Sequence, residues 1–226
     1  MAFSLNTYTQ DPSSGNKPKQ VVVLLHGYGS NGQDLISLAP YLDRALPEAV
    51  FVSPDAPFRC EIAPSMGYQW FSLRGANPAD DLVVDRDPAK YLKGVHQAAP
   101  HLHKYLDEIL DHYGLDNKDM ALGGFSQGAM MSLHNGLRRG EKIAGILAYS
   151  GSLINTKDLS IAHKVPIHIV HGESDEVVPI ESYHHARSEL EQAGFDVTGH
   201  MTKYLGHSID NDGIESGAGF LQNIFR

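Results

Sequence analysis

"MALGGFSQGAMMSLHNGL", residues 120–137, is the stretch that decides the fold. It begins with apolar residues that lead into two glycines, which is typical of a buried strand meeting a tight turn. It ends with the apolar spacing of a helix. Between the two, Gly124-Phe125-Ser126-Gln127-Gly128 places a serine between glycines. A serine at a strand–turn–helix junction is what a nucleophile elbow requires. A plain glycine-rich turn with a capping serine is the alternative.

The alternation of strand and helix continues on both sides of this stretch. Further strand patterns lie at 3–9, 21–25, 50–53, 143–149, 165–170 and 197–204. Further helical patterns lie at 34–46, 87–113, 180–193 and 213–225. This order predicts an α/β fold, with a mainly parallel central sheet and helices on both faces. The length of 226 residues fits one domain, 1–226, in which 58–86 is an irregular loop of the kind that often covers a binding site.

The composition excludes several classes of protein. The net charge of −9 argues against a nucleic-acid binder, which needs a basic face, and against docking to anionic lipid. No apolar run reaches the roughly 18 residues of a spanning helix, so no stable membrane insertion is expected. The one cysteine, Cys60, cannot form an internal disulfide. Since no secretory signal is visible at the amino terminus either, we expect a cytoplasmic protein.

Two further motifs supply the partners that a catalytic serine needs. "VHGESDEVVP" (170–179) and "LGHSID" (205–210) each begin at the end of a predicted strand. Taken singly, Asp175 could be a helix cap and His207 a surface histidine. Together, Ser126, Asp175 and His207 stand in the chain order of the α/β-hydrolases. A serine hydroxyl needs a neutral imidazole to take its proton, and the imidazole needs a carboxylate to orient it.

The stretch "VVVLLHGYGSNG" (21–32) admits two interpretations. Gly27-x-Gly29-x-x-Gly32 follows a strand, as in a dinucleotide fingerprint, and Asp55 is the one candidate for the ribose-binding acid. In a hydrolase, the same loop brings a backbone N–H to the substrate carbonyl. Tyr28 and Gln127 would then be the two oxyanion donors. The hydrolase interpretation is favoured because it alone gives the serine, aspartate and histidine a role.

At this point the chain resembles the phospholipase/carboxylesterase family, which includes acyl-protein thioesterases. The matching pieces, in family order, are "LLHGYGSNG", "SPDAP", "WF", "GGFSQGAMMSL", "HGESDEVVP" and "GHSI". The resemblance implies a compact α/β-hydrolase without a large cap domain and a Ser126–His207–Asp175 triad. It also implies backbone oxyanion donors at Tyr28 and Gln127, and a possible homodimer. Many members carry leucine where Tyr28 stands, so this tyrosine could narrow the acyl pocket.

The expected activity is that of a serine hydrolase acting on carboxylic esters, thioesters or lysophospholipids through an acyl-enzyme. The substrate is a small-molecule or lipid-like ester, and no cofactor or metal is expected. Trp70, Phe71 and Leu73 would line an acyl-binding groove, although plain packing under the loop is an equal alternative. Two other functions stay open. One is a nicotinamide-dependent oxidoreductase built on the glycine loop, and the other is a binding protein with a hydrolase fold.

Overall fold

A seven-stranded sheet with helices on both sides forms the centre of the molecule. The computed structural model describes residues 3–73, 91–157, 159 and 163–226. In chain order, the strands are β1 Thr7–Gln10, β2 Gln20–Leu25, β3 Ala49–Pro54, β4 Phe58–Arg59, β5 Tyr68–Gln69, β6 Met120–Phe125, β7 Gly145–Tyr149, β8 Ile167–Gly172 and β9 Val197–Thr202. The described α-helices are α1 Gly32–Leu35, α2 Ala39–Leu42, α3 Leu92–Tyr113, α4 Gln127–Gly136, α5 Glu181–Gln192 and α6 Asn211–Ile224.

The strand order of the sheet is β1-β3-β2-β6-β7-β8-β9. All neighbours are parallel except β1, which pairs antiparallel with β3. From β2 the chain moves to β3 on one side, and it later returns to β6 on the other side. The direction of winding therefore reverses next to β2, and open α/β sheets bind ligands beyond the carboxyl ends of the strands at such a point. The predicted fold class is confirmed.

Strand β2 shows why the sheet is covered on both faces. Val21, Val23 and Leu25 belong to one core, together with residues of α3, α4 and α5. Val22 and Leu24 belong to a second core on the opposite face, with residues of α1, α2 and α6. All five side chains are fully buried. Successive side chains of a strand point to opposite faces, so a continuous apolar run is what a sheet between two helical layers needs.

Several elements differ in detail from their sequence patterns. The helix predicted over 34–46 is divided into α1, a 3-10 turn at Ile36–Leu38, and α2, whose first turn contains Pro40. Proline fits there because the first turn of a helix leaves its N–H groups unbonded. Pro100, by contrast, lies on the exposed side of α3, and that helix continues through it.

The segment predicted as an irregular loop over 58–86 begins with structure. Strands β4 and β5 form a small antiparallel hairpin, in which Phe58 pairs with Gln69. The remainder of the predicted loop from residue 74 lies outside the described residues, as does the start of the helix predicted over 87–113. Among the described helices, none combines the length and the apolar character needed to cross a bilayer.

Candidate active site

Ser126 occupies a strained turn between β6 and α4. Its backbone has φ 55° and ψ −116°, in a region that residues with a side chain rarely adopt. Such a conformation costs about 1–3 kcal/mol and persists only when its surroundings enforce it. The N–H of Ser126 donates to the carbonyl of Tyr149 on β7 at 2.9 Å, and its carbonyl accepts from Met130 of α4 at 3.1 Å. The sheet and the helix therefore hold the serine in this conformation.

The glycines on either side of Ser126 are required by close backbone contacts. A Cβ atom at Gly124 would collide with the backbone of Gly128. A Cβ atom at Gly128 would collide with the carbonyl oxygen of Leu25 at the end of β2. The G-x-S-x-G pattern thus lets α4 start directly above the carboxyl ends of two strands, and this places Ser126 at the edge where ligands bind in such sheets.

The structure brings the three predicted catalytic side chains together. The distance from Ser126 Oγ to His207 Nε2 is 2.9 Å, and that from His207 Nδ1 to Asp175 Oδ2 is 2.7 Å. Both lie within the range of good hydrogen bonds. His207 also lies against the ring of Phe125, with the ring centroids 4.7 Å apart. The imidazole is therefore held between the hydroxyl and the carboxylate, in the order that proton transfer from a serine requires.

Asp175 is the one acid of its loop that is buried. Its Oδ1 atom accepts hydrogen bonds from the backbone N–H groups of Val177 and Val178, at 2.9 and 2.8 Å. Burial on its own would raise the pKa of Asp175, but the bonds from His207 and these N–H groups outweigh it and lower the pKa below its usual value. Glu173 and Glu176 are exposed. A buried carboxylate that stays ionised faces the histidine.

A second histidine, which the sequence analysis did not single out, lies beside this carboxylate. His171 Nε2 is 2.8 Å from the carbonyl oxygen of Val178 and 3.5 Å from Asp175 Oδ2. Burial lowers the pKa of His171, although the Val178 carbonyl and Asp175 act in the opposite direction. The ring is therefore neutral, and its Nε2–H donates to Val178. His171 and Asp175 together hold the Val178 end of the short Asp175–Val178 turn. His171 is part of the motif "VHGESDEVVP", so its position close to Asp175 in the sequence was a usable signal.

The glycine loop after β2 packs closely against the chain itself. A Cβ atom at Gly27 would lie 3.4 Å from Ser126 Cβ, and one at Gly32 would collide with the carbonyl of Ser53 on β3. Asp55 is 3% exposed, and its two oxygens accept from the N–H of Gly32 at 2.9 Å and from Asn6 Nδ2 at 2.7 Å. The carboxylate proposed for a ribose is thus already bonded within the fold.

His26 fixes the start of this loop. Its Nδ1 lies 2.7 Å from the carbonyl oxygen of Gly27, and its Nε2 accepts from the N–H of Ala56 at 2.9 Å. Burial lowers the pKa of His26, against the opposing effect of the Gly27 carbonyl, so the ring is neutral and carries its proton on Nδ1. In the part of the chain that the structure describes, no cluster of three or more His, Cys, Asp or Glu side chains could hold a metal ion.

The two predicted oxyanion donors lie next to Ser126. Tyr28 and Gln127 both line the cavity into which Ser126 opens. Within the described ranges, neither backbone N–H donates to an acceptor of the chain. The side chain of Gln127 is bonded instead to the segment opposite, where Oε1 accepts from Trp70 N at 2.7 Å and Nε2 donates to the Phe71 carbonyl at 2.8 Å. These bonds hold the first turn of α4 in place.

The cavity at Ser126 has a volume of about 270 Å³ and is mostly apolar. Its lining residues are Tyr28, Ile62, Leu73, Ser126, Gln127, Met130, Val177, Val178 and His207. Of the three residues predicted to line a groove, only Leu73 does so. Trp70 and Phe71 are buried in the core, where the Trp70 indole N–H donates to the His26 carbonyl at 3.0 Å. These two side chains thus pack in the core, as the alternative described for them.

Several lining residues were missed in the sequence. Met130 lies one helical turn after Ser126, and the two valines belong to the quoted "DEVVP", so their positions relative to the motifs were a usable signal. Ile62 had no such signal, because it comes from the hairpin within a segment that shows no regular pattern. Its side chain is 50% exposed and that of Val177 is 45% exposed, so both lie at the mouth of the cavity.

Comparison with known proteins identifies the family of the chain. The family described as Phospholipase/Carboxylesterase matches residues 8–225. An acyl-protein thioesterase 1 from Gibberella zeae is 28% identical over 89% of this chain and 88% of its own. One from Kluyveromyces lactis is 32% identical over 75% of each. The crystal structure of esterase PE8 is 37% identical, with a TM-score of 0.88 over 97% of this chain and 99% of that one. The chain therefore belongs to the phospholipase/carboxylesterase family and is a carboxylesterase/thioesterase-like hydrolase with the α/β-hydrolase fold.

Proposed function

We propose that this chain hydrolyses carboxylic esters and thioesters through a covalent acyl-enzyme on Ser126. The observation that carries the proposal is the unbroken chain of hydrogen bonds from Ser126 through His207 to Asp175. The apolar cavity beside it offers room for an acyl group. In this proposal the substrate is a small-molecule or lipid-like ester, and the related thioesterases support the extension to acyl-thioesters.

The first step forms the acyl-enzyme. Ser126 Oγ attacks the carbonyl carbon of the substrate while its proton passes to His207 Nε2, 2.9 Å away. Asp175 keeps the proton of the neutral ring on Nδ1, which leaves Nε2 free to accept. It also stabilises the imidazolium that forms, because the negative charge lies 2.7 Å from Nδ1. The imidazolium then gives its proton to the departing alkoxide or thiolate.

The negative charge that develops on the carbonyl oxygen needs donors that are already in place. The backbone N–H groups of Tyr28 and Gln127 supply them in this proposal. They line the cavity on the side of Ser126, and neither bonds to another part of the described chain. Gln127 begins α4, so the partial positive charge of the helix N-terminus adds to the effect. A single donor of this kind contributes about 10²–10³ in turnover in a related reaction type.

Water completes the cycle by the same route in reverse. His207 removes a proton from a water molecule, the resulting hydroxide attacks the acyl carbonyl, and the proton returns to Ser126 Oγ as the acid leaves. Apart from the water molecule, every reacting group that acts on the substrate belongs to the chain, so the proposal includes no cofactor and no metal.

The two rival functions receive less support from the contacts. A dinucleotide site would need space above Gly32 and a free Asp55 carboxylate, but Gly32 packs on β3 and Asp55 bonds to its N–H. A protein that only binds ligands would have no use for a serine held at φ 55° beside a histidine. Strain of this kind clusters at active sites.

The test is hydrolysis of a p-nitrophenyl ester and of an acyl-thioester by the wild type and by Ser126→Ala. We expect the variant to lose both activities by at least about 10⁴-fold, since the other groups cannot replace the nucleophile. Ser37→Ala is the matched control, because Ser37 is an exposed serine outside the site. Residual activity of Ser126→Ala within tenfold of the wild type would refute the assignment of the nucleophile.

Two further parts of the proposal concern the cellular compartment and the oligomeric state of the enzyme. The one cysteine, Cys60, is buried and unpaired, which suits a reducing compartment such as the cytoplasm. The resemblance to the family supports a homodimer. Size-exclusion chromatography with light scattering tests the second part: a mass of twice 24.7 kDa supports it, and a mass of 24.7 kDa contradicts it.

A further inference from the structure

The wall of the acyl cavity formed by Tyr28 is fixed by a hydrogen bond to a charged side chain. The hydroxyl of Tyr28 donates to Glu61 Oε1 at 2.9 Å. The same carboxyl group accepts from the backbone N–H of Leu73 at 3.1 Å and from the hydroxyl of Ser72 at 2.7 Å. At least three donors from the described residues converge on it, and an ionised carboxylate, which only accepts, suits that arrangement. Glu61 thus joins two lining residues that are far apart in the sequence.

The hairpin that carries Glu61 is itself tied to the oxyanion loop. The N–H of Gly29 donates to the Tyr68 carbonyl at 2.9 Å, and the N–H of Tyr68 donates to the Ser30 carbonyl at 2.8 Å. The N–H of Glu61 donates to Gln69 Oε1 at 2.8 Å. The loop is therefore bonded to the hairpin directly after Tyr28, and these bonds hold the backbone at Tyr28 close to Glu61.

We propose that Glu61 is a positioning residue that holds Tyr28 and Leu73 as a closed wall and so restricts the enzyme to short and medium acyl chains. The inference rests on the proposed function. The volume supports a limit, because about 270 Å³ lies below the roughly 300–1,000 Å³ that is typical of ligand pockets. The carbonyl and part of the leaving group take some of that space.

The charge behind the wall adds a second barrier to longer chains. An apolar tail that pushed Tyr28 aside would break its bond to Glu61 and bring methylene groups against a carboxylate. Exchanging a hydrogen bond to a charged group for contact with apolar groups is unfavourable. Among the described lining residues, Met130 of α4 and Val178 are nearly fully buried. An extended tail gains no room against these two side chains, so the inference places the limit on chain length at Tyr28.

The test compares p-nitrophenyl laurate with p-nitrophenyl butyrate as the ratio of their kcat/KM values within each variant. A general change in turnover cancels in this ratio, whereas a change in the shape of the cavity does not. We expect Tyr28→Leu to raise the ratio by at least roughly tenfold, the discrimination that apolar pockets show for one or a few methylene groups. Glu61→Ala should raise it in the same direction by releasing the wall.

Two variants distinguish positioning from a merely structural role. Glu61→Gln keeps an oxygen acceptor for Tyr28 or Leu73, so its ratio should return towards that of the wild type. Tyr41→Leu is the matched control, because Tyr41 is a 54% exposed tyrosine that does not line the cavity, and its ratio should be unchanged. Tyr28→Phe removes the hydroxyl and keeps the ring, and it tests the same bond if Glu61→Ala fails to fold.

The outcomes separate this inference from the proposed function. If the wild type hydrolyses butyrate with Ser126 and the ratio is the same in Tyr28→Leu, Tyr28→Phe and Glu61→Ala, the wall does not set chain length and the inference is wrong. If the wild type already hydrolyses laurate as well as butyrate, it is wrong for the same reason. If the wild type hydrolyses neither ester, the proposed function fails, and this inference fails with it.

Discussion

Replacing Asp175 by asparagine should lower turnover, because the hydrogen bonds around this side chain would reverse the tautomer of His207. In the wild type, Oδ1 accepts two backbone N–H groups, from Val177 and Val178, and Oδ2 accepts one N–H, from His207. The asparagine side chain has only one oxygen. If this oxygen faces the backbone, it keeps two bonds and directs the amide NH₂ towards His207. If it faces His207, it keeps one bond and loses two.

The first orientation should therefore prevail, and it reverses the tautomer of the histidine. An NH₂ group that points at Nδ1 favours a ring with Nδ1 unprotonated and the proton on Nε2. That nitrogen lies 2.9 Å from Ser126 Oγ and can then no longer accept its proton. In the best-studied serine triad this change lowers turnover by about 10⁴, which corresponds to about 5.5 kcal/mol of transition-state stabilisation. The fold should remain, because the two bonds to the valines are kept.

The assay is the turnover of a p-nitrophenyl ester, with a melting curve for each protein. Glu173→Gln and Glu176→Gln are matched controls, because both remove a charge from the same loop at exposed positions. Both controls should stay within a few-fold of the wild type. Turnover of a folded Asp175→Asn variant within tenfold of the wild type would refute the reasoning. A collapse of activity in either glutamine variant instead would show that another acid orients His207.

Four other perturbations each have a defined expected result. Burial, helped by nearby Arg138, lowers the pKa of His134 to about 3. In the unfolded chain the pKa of a histidine is near 6.5. The stability that the neutral ring contributes is therefore complete above about pH 6.5 and is lost as the pH falls. At pH 5 the loss from one such histidine is about 2 kcal/mol, and His134→Leu should remove that part of the pH dependence measured by urea unfolding. Gly128→Ala should lower the free energy of unfolding by about 1–3 kcal/mol or more through its collision with the Leu25 carbonyl. Gly219→Ala, with no atom within 4 Å of the new methyl group, should raise it by about 0.5–1 kcal/mol. NAD and NADP should leave the melting temperature unchanged, whereas a bound ligand at 100 times its Kd would add about 2.7 kcal/mol.

Each of these expectations can fail in a definite way. Identical pH dependence in the wild type and in His134→Leu would mean that this ring is not kept neutral by the fold. Equal stability of the two glycine variants would show that α4 does not pack on the end of β2 as described. A clear rise in melting temperature with either nucleotide would restore the dinucleotide interpretation of the glycine loop.

The layout of the fold was predictable because its determinants are local. The apolar run at β2 and the strand–turn–helix around Ser126 carry their structure in consecutive residues. The expectation that Ser126, Asp175 and His207 lie at one edge of the sheet then followed from where parallel strands end. The geometry of the three side chains was not predictable from spacing, since it depends on bonds such as those from Val177 and Val178 to Asp175, which form only when the turn closes.

The walls of the cavity were the least predictable part. Trp70 has the apolar character of a groove residue. Its backbone N–H, however, donates to the side chain of Gln127, and its ring is fully buried. Glu61 shows no sequence signal at all, because its partners Tyr28 and Leu73 are brought together by a hairpin of two-residue strands. Such short strands lack the length over which a periodic pattern can be recognised.

The central claim is that Ser126 is an activated nucleophile, and covalent labelling with a fluorophosphonate tests it most directly. The reagent reacts with a serine hydroxyl only where a base has made it nucleophilic. The account predicts a single adduct that peptide mass spectrometry places on Ser126, and no adduct in Ser126→Ala. It also predicts slow labelling of His207→Gln, which lacks the base. An unlabelled wild-type protein, or an adduct on a different residue that persists in Ser126→Ala, would contradict the account.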